Sequence, residues 1–119
     1  LLEAQRLISR AADNGAGLVV LPENFALMGD AEQDKVEARE ADGSGPIQDF
    51  LAAEAQRQKV WLVGGTVPME SSDPKRVRAA CLVFDDSGER VARYDKMHLF
   101  DVCLQDCKET YNESETIEP

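Results

Sequence analysis

The residues best suited to chemistry in this sequence are Glu23, Lys96 and Glu113. Glu23 sits in Gly17-Leu18-Val19-Val20-Leu21-Pro22-Glu23-Asn24-Phe25. Four consecutive apolar residues are too short for a buried helix and suit a strand covered on both faces. Pro22 stops that strand, because it has no N–H to give to a ladder. Glu23 then lies just past the carboxyl end of a strand, where open α/β sheets bind ligands. A carboxylate between a proline and a phenylalanine is poorly solvated, and a poorly solvated carboxylate holds a proton more tightly, as a general base must. A surface Glu capping the next turn would give the same residues.

Lys96 lies in Tyr94-Asp95-Lys96-Met97-His98-Leu99-Phe100-Asp101, at the end of a strand and flanked by aromatic and apolar residues. A lysine fixed there presents a positive charge to a developing oxyanion. Taken alone it reads more readily as a surface lysine paired with Asp95. His98, between Met97 and Leu99, reads as a hydrogen-bonded structural histidine rather than a base. Glu113 lies in the acidic stretch Tyr111-Asn112-Glu113-Ser114 and is a third candidate carboxylate. The cysteines are Cys81, Cys103 and Cys107. Cys81 falls in mid-strand and reads as a core residue. Cys103 and Cys107 fall in a loop between the Lys96 and Glu113 stretches, and with one histidine in the chain their spacing is not that of a zinc site. Gly64-Gly65 lacks the following Gly-Lys-Ser/Thr of a phosphate loop.

The elements that must position these residues follow from periodicity. Residues 1–13 carry an apolar stripe (Leu1, Ala4, Leu7, Ile8, Ala11, Ala12) and form a helix stopped by Asn14-Gly15. The strand 17–21 follows directly, so the helix packs on a sheet. Residues 24–42 are polar and acidic, with room for a short helix near 32–39, and read as a long connection over the mouth of a site or as a solvated surface segment. Pro46 opens a second helix with Ile47, Phe50, Leu51 and Ala55 on its apolar face. Residues 60–66 form a second strand, 69–75 a loop, 77–84 a third strand and 89–95 a fourth, with Asp85-Asp86-Ser87-Gly88 as the hairpin turn. The order is α/β at the start and antiparallel at the end, hence a mixed sheet.

The chain has 119 residues and a formal net charge of −10. The charge argues against non-specific nucleic-acid binding and against an anionic membrane surface. No apolar run approaches the ~20 residues of a membrane span. Three cysteines and no visible signal peptide point to a reducing, cytoplasmic setting.

Four stretches, in order, resemble the nitrilase, or carbon–nitrogen hydrolase, superfamily, and within it the branch of the Nit proteins and ω-amidases. They are Leu21-Pro22-Glu23-Asn24-Phe25, Val63-Gly64-Gly65-Thr66, Tyr94 to Asp101, and Tyr111-Asn112-Glu113-Ser114. The resemblance implies part of a four-layer α-β-β-α sandwich and a Glu–Lys–Cys triad without cofactor or metal. Glu23 would be the base, Lys96 the oxyanion partner, and Glu113 the residue that orients them. It implies a small-molecule amide substrate and a homodimer for the full-length protein; a nitrile or an N-carbamoyl compound remains open as substrate. It also implies that residues 1–119 are the N-terminal to central part of a single domain, with the first strand before Leu1 and the nucleophilic cysteine beyond Pro119. A non-catalytic chain of the same fold, binding small molecules or partners, is the alternative.

Overall fold

The computed structural model describes residues 1–27, 33–103 and 110–119. Helix α1 (Leu2–Asp13) leads into β1 (Leu18–Leu21), then α2 (Gln33–Glu37) and α3 (Pro46–Gln58). Strands β2 (Trp61–Glu70), β3 (Val77–Phe84) and β4 (Arg90–Asp95) follow, then the short pair β5 (Asp101–Cys103) and β6 (Thr110–Asn112). A 3-10 turn, Glu113–Glu115, comes after β6.

The main sheet has the order β1-β2-β3-β4. β1 pairs with β2 in parallel, and both hairpin pairs are antiparallel, so the sheet is mixed as expected. β1, β2 and β4 therefore run in one direction, with β1 and β4 at opposite edges.

Helices α1 and α3 cover one face. From α1, Ile8 is fully buried, while Leu1 and Leu7 stay exposed, so the buried stripe is narrower than the sequence pattern suggests. From α3, Ile47, Leu51 and Ala55 pack on Leu21, Leu62, Val67, Met69, Ala80, Leu82 and Phe84. Gly64 permits this contact: a Cβ there would lie 2.5 Å from Leu51 Cδ1. The first turn of α3 begins at Gly45, which has no side chain to cap it. Buried Glu40 does so from outside the helix, accepting Ile47 N–H at 2.7 Å and Gln48 N–H at 3.1 Å. A carboxylate satisfies both the orphan donors and the positive end of the helix dipole.

β2 continues to Glu70, beyond the expected end at residue 66. The ladder with β3 slips between Gly65 and Val67, which takes Thr66 out of register, and pairing resumes at Val67 with Ala80. A bulge of this kind looks like a strand end in sequence. The described part of the 24–42 connection is packed in places, with Lys35, Val36 and Glu40 buried, and solvated at Gln33, Glu37, Arg39, Ala41 and Asp42. Val36 of α2 is buried with Val77, Ala79 and Ile117, and Leu99 leans on them. Successive strand side chains alternate, so Val77 and Ala79 lie on the face opposite Ala80 and Leu82. The start of the expected 32–39 helix, Glu32, lies outside the described residues.

That second face is apolar farther along, at Leu18, Val20, Trp61 and Tyr94, and there it is exposed. Coverage of β1 on both faces is thus not what the chain shows. Leu18 and Val20 are 59% and 65% exposed. The reason is positional: β1 is an edge strand whose helix covers one side. One helix layer on one sheet layer makes up half of an α-β-β-α sandwich.

Candidate active site

Glu23 leaves the end of β1 on a tight turn in which Asn24 adopts a left-handed conformation (φ 55°). Asparagine tolerates that region better than most residues. The Asn24 N–H donates to Thr66 Oγ1 at 3.3 Å, tying the turn to the bulge in β2. Lys96 directly follows β4 and extends its pairing by one residue, with its N–H donating to Ala79 O at 2.9 Å. Glu113 opens the 3-10 turn after β6.

The three meet. Lys96 Nζ donates to Glu23 Oε1 at 2.9 Å, and it lies 2.9 Å from Glu113 Oε2 and 3.1 Å from Oε1. Exposure of the side chains falls from 49% at Glu23 to 24% at Lys96 and 4% at Glu113. Glu113 is further fixed by the Phe100 N–H, which donates to its Oε2 at 2.7 Å. Burial opposes the Lys96 charge, but its hydrogen bonds to Glu113 and Glu23 outweigh it and hold the ammonium above its ordinary pKa. Lys96 is therefore a cation at neutral pH between an inner and an outer carboxylate. Among the described residues, Glu23 Oε1 takes the Lys96 hydrogen bond and Oε2 takes none.

Several expectations change. Glu23 is half-exposed and ion-paired, not poorly solvated, because its turn points away from the core and Phe25, not Glu23, packs inward. Lys96 does not pair with Asp95, whose carboxylate is engaged by Arg93 Nε at 2.8 Å. His98 is exposed, on a bend between β4 and β5, and holds no buried structural position. Cys103 is an exposed strand residue at the end of β5, not a loop residue. Cys107 lies outside the described residues. Cys81 lies in mid-strand in β3 as expected but is half-buried and outside both core clusters, on the sheet face away from α1 and α3; burial pushes its thiol pKa up, away from nucleophilic character.

Sequence reasoning missed two supports: Thr66, and the Phe100 backbone donor. A hydroxyl residue placed just after Gly64-Gly65 was the available signal for the first. The second is a main-chain group and leaves no signal in residue types. Among the described residues, no group of His, Cys, Asp and Glu is placed to hold a metal ion, and no helix is long and apolar enough to cross a membrane.

Comparison with known proteins identifies the family and the fold. The family model described as carbon–nitrogen hydrolase matches residues 1–119. A deaminated glutathione amidase of Yersinia enterocolitica is 39% identical over 108 residues, covering 90% of this chain and 37% of its own length. The omega-amidase NIT2 of Homo sapiens is 34% identical over 112 residues, covering 94% of this chain and 39% of its own length. The chain thus spans well under half the length of these relatives. Among solved structures, Saccharomyces cerevisiae Nit3, a member of branch 10 of the nitrilase superfamily, superposes with a TM-score of 0.76 at 27% identity, over 98% of this chain and 40% of that one. The C. elegans NitFhit protein gives a TM-score of 0.77 at 26% identity, over 97% of this chain and 28% of that one. With the whole sequence matched by one family model and the same fold in these structures, the chain belongs to the carbon–nitrogen hydrolase family.

Proposed function

We propose that the full-length protein is an amidase-type hydrolase of non-peptide carbon–nitrogen bonds, and that residues 1–119 are the N-terminal to central part of its single catalytic domain. The observation that carries this reading is the Glu23–Lys96–Glu113 contact, which joins one ammonium to two carboxylates at hydrogen-bond distance. A cysteine beyond Pro119 would complete the site.

Glu23 takes the thiol proton, and the thiolate attacks the amide carbon. The carbonyl π pair moves to oxygen, where the Lys96 ammonium stabilises it. Collapse of this intermediate expels ammonia or an amine, which takes the proton held by Glu23, and leaves a thioester. Glu23 then removes a proton from water, the hydroxide attacks the thioester, and the thiolate departs from a carboxylic acid. Glu113 touches Lys96 and fixes where the ammonium points. Relatives named as amidases for deaminated glutathione and for ω-amides favour a small ω-amide as substrate. A cytoplasmic homodimer needing no cofactor completes the reading.

The test is ammonia release from small ω-amides by the full-length protein. Glu23→Gln and Lys96→Ala should each lower kcat by about 10²-fold or more. Cys81→Ser and Cys103→Ser should leave turnover near wild type, and the 119-residue chain alone should be inactive. Full-length protein that binds ω-amides without hydrolysing them would make the chain a binding module instead.

A further inference from the structure

We infer that Asp101 is a positioning residue for the proposed reaction, acting through Ser114 to set Glu113 and hence Lys96. The inference rests on the amidase reading above. Asp101 begins β5, one residue after Phe100. Its Oδ1 accepts the Ser114 N–H at 3.0 Å and its Oδ2 accepts the Ser114 hydroxyl at 2.7 Å. The neighbouring pair is joined as well: Glu113 N–H donates to Phe100 O at 3.2 Å, and Phe100 N–H donates to Glu113 Oε2 at 2.7 Å. Two consecutive residues, 100 and 101, therefore hold two consecutive residues, 113 and 114, by four hydrogen bonds.

The clasp adds to a short turn whose own hydrogen bonds run from the Thr116 and Ile117 N–H groups to Glu113 O, at 3.1 and 2.7 Å. Those bonds fix the carbonyl of Glu113 and leave the Ser114 N–H at the start of the turn to be satisfied from outside it. The turn spans three residues, and Asn112 before it makes no side-chain cap. Asp101 supplies the missing acceptors from across the β5–β6 pair, where it stands opposite Asn112. Hydrogen bonds from the Ser114 side chain and backbone keep the Asp101 carboxyl below its ordinary pKa, so it is ionised and accepts at both oxygens. With the turn fixed, the buried Glu113 carboxylate has one place to be, and Lys96 is held in line with Glu23. Small displacements in such a chain are costly, since about 1 Å of misplacement can cost roughly 10²-fold in rate.

The experiment uses the full-length protein with Asp101→Ala, Ser114→Ala and Ser114→Thr, with Glu23→Gln alongside. It reads kcat and KM against pH, and the pH titration of Lys96 by the 13Cε shift of labelled lysine. Asp101→Ala should lower kcat about tenfold or more while leaving KM within about threefold. Its alkaline limb, and the Lys96 titration, should move to lower pH as Glu113 loosens. Ser114→Ala should shift both in the same direction by less, and Ser114→Thr should restore them. A folded Asp101→Ala with wild-type kcat and an unmoved Lys96 titration overturns the inference, as does a loss confined to KM. If Asp101→Ala does not fold, Ser114→Ala decides, since it removes a single hydrogen bond of the four. Wild-type protein that releases no ammonia would instead remove the amidase reading, normal turnover by Glu23→Gln would remove only the base role of Glu23, and in either case the Lys96 titration would still decide whether Asp101 sets the lysine.

Discussion

Glu113 grips Lys96 at 2.9 Å with a carboxylate side chain that is only 4% exposed. It is the inner of the two carboxylates that the ammonium touches, and the contact ties the lysine to the body of the protein. Removing one member of a buried pair leaves the other uncompensated, which costs more than the pair itself contributes.

The Lys96 pKa is raised in the folded protein, with burial working against the charge and the Glu113 and Glu23 hydrogen bonds prevailing. Such a group contributes stability that is fully present below its unfolded pKa, ordinarily 10.5, and lost as pH rises through the folded value. Melting temperatures of wild type and Lys96→Met from pH 8 to 11.5 should therefore differ most at the neutral end. The gap should narrow once the pH passes 10.5 and the wild-type lysine begins to lose its proton. A gap constant across the range would mean that the pairing contributes nothing to folding.

His98 shares a segment with Lys96, yet its side chain is exposed. His98→Asn should change stability by no more than about 0.5 kcal/mol, the usual range for surface substitutions. In the full-length protein it should leave turnover near wild type. A collapse of kcat in His98→Asn with Glu23→Gln still active would make the histidine the base and the site a Cys–His arrangement.

Glu40 and Gly45 form one unit. Glu40 caps α3, and Gly45 has φ +144° with its α-carbon against that carboxylate. Glu40→Ala would strand the Ile47 and Gln48 donors and should cost about 1–3 kcal/mol in urea unfolding. Gly45→Ala should also destabilise, because the new Cβ would sit 2.3 Å from Glu40 Oε1 in a backbone region that side chains rarely adopt. In the Glu40→Ala background the steric part of that penalty should disappear, and the two losses should not add.

Much of this arrangement could be read in the residues. Pro22 after four apolar residues marked the end of β1 and the place of Glu23, and Asp85 to Gly88 marked the hairpin that brings β4, and so Lys96, back along the sheet. What could not be read depends on contacts distant in sequence. The solvation of Glu23 was misjudged because its neighbours in sequence are apolar, whereas its exposure is set by the direction of a turn tied to Thr66. β5 and β6 are three residues each, too short for a period to show. The extent of β2 was hidden by a bulge, which only the pairing with β3 reveals.

Glu23 and Lys96 descend from the two edge strands of the sheet and are separated by 73 residues of chain. This separation bears on the order of folding. Their contact requires β1 laid on β2, and β3 and β4 both paired, before either side chain is within reach of the other. Loops that long are closed late, because their entropy is lost before any contact rewards it. A partly folded chain, with one hairpin formed or one edge frayed, thus holds a carboxylate and an amine far apart in water. Charge at the reactive centre is assembled in the same step that completes the sheet.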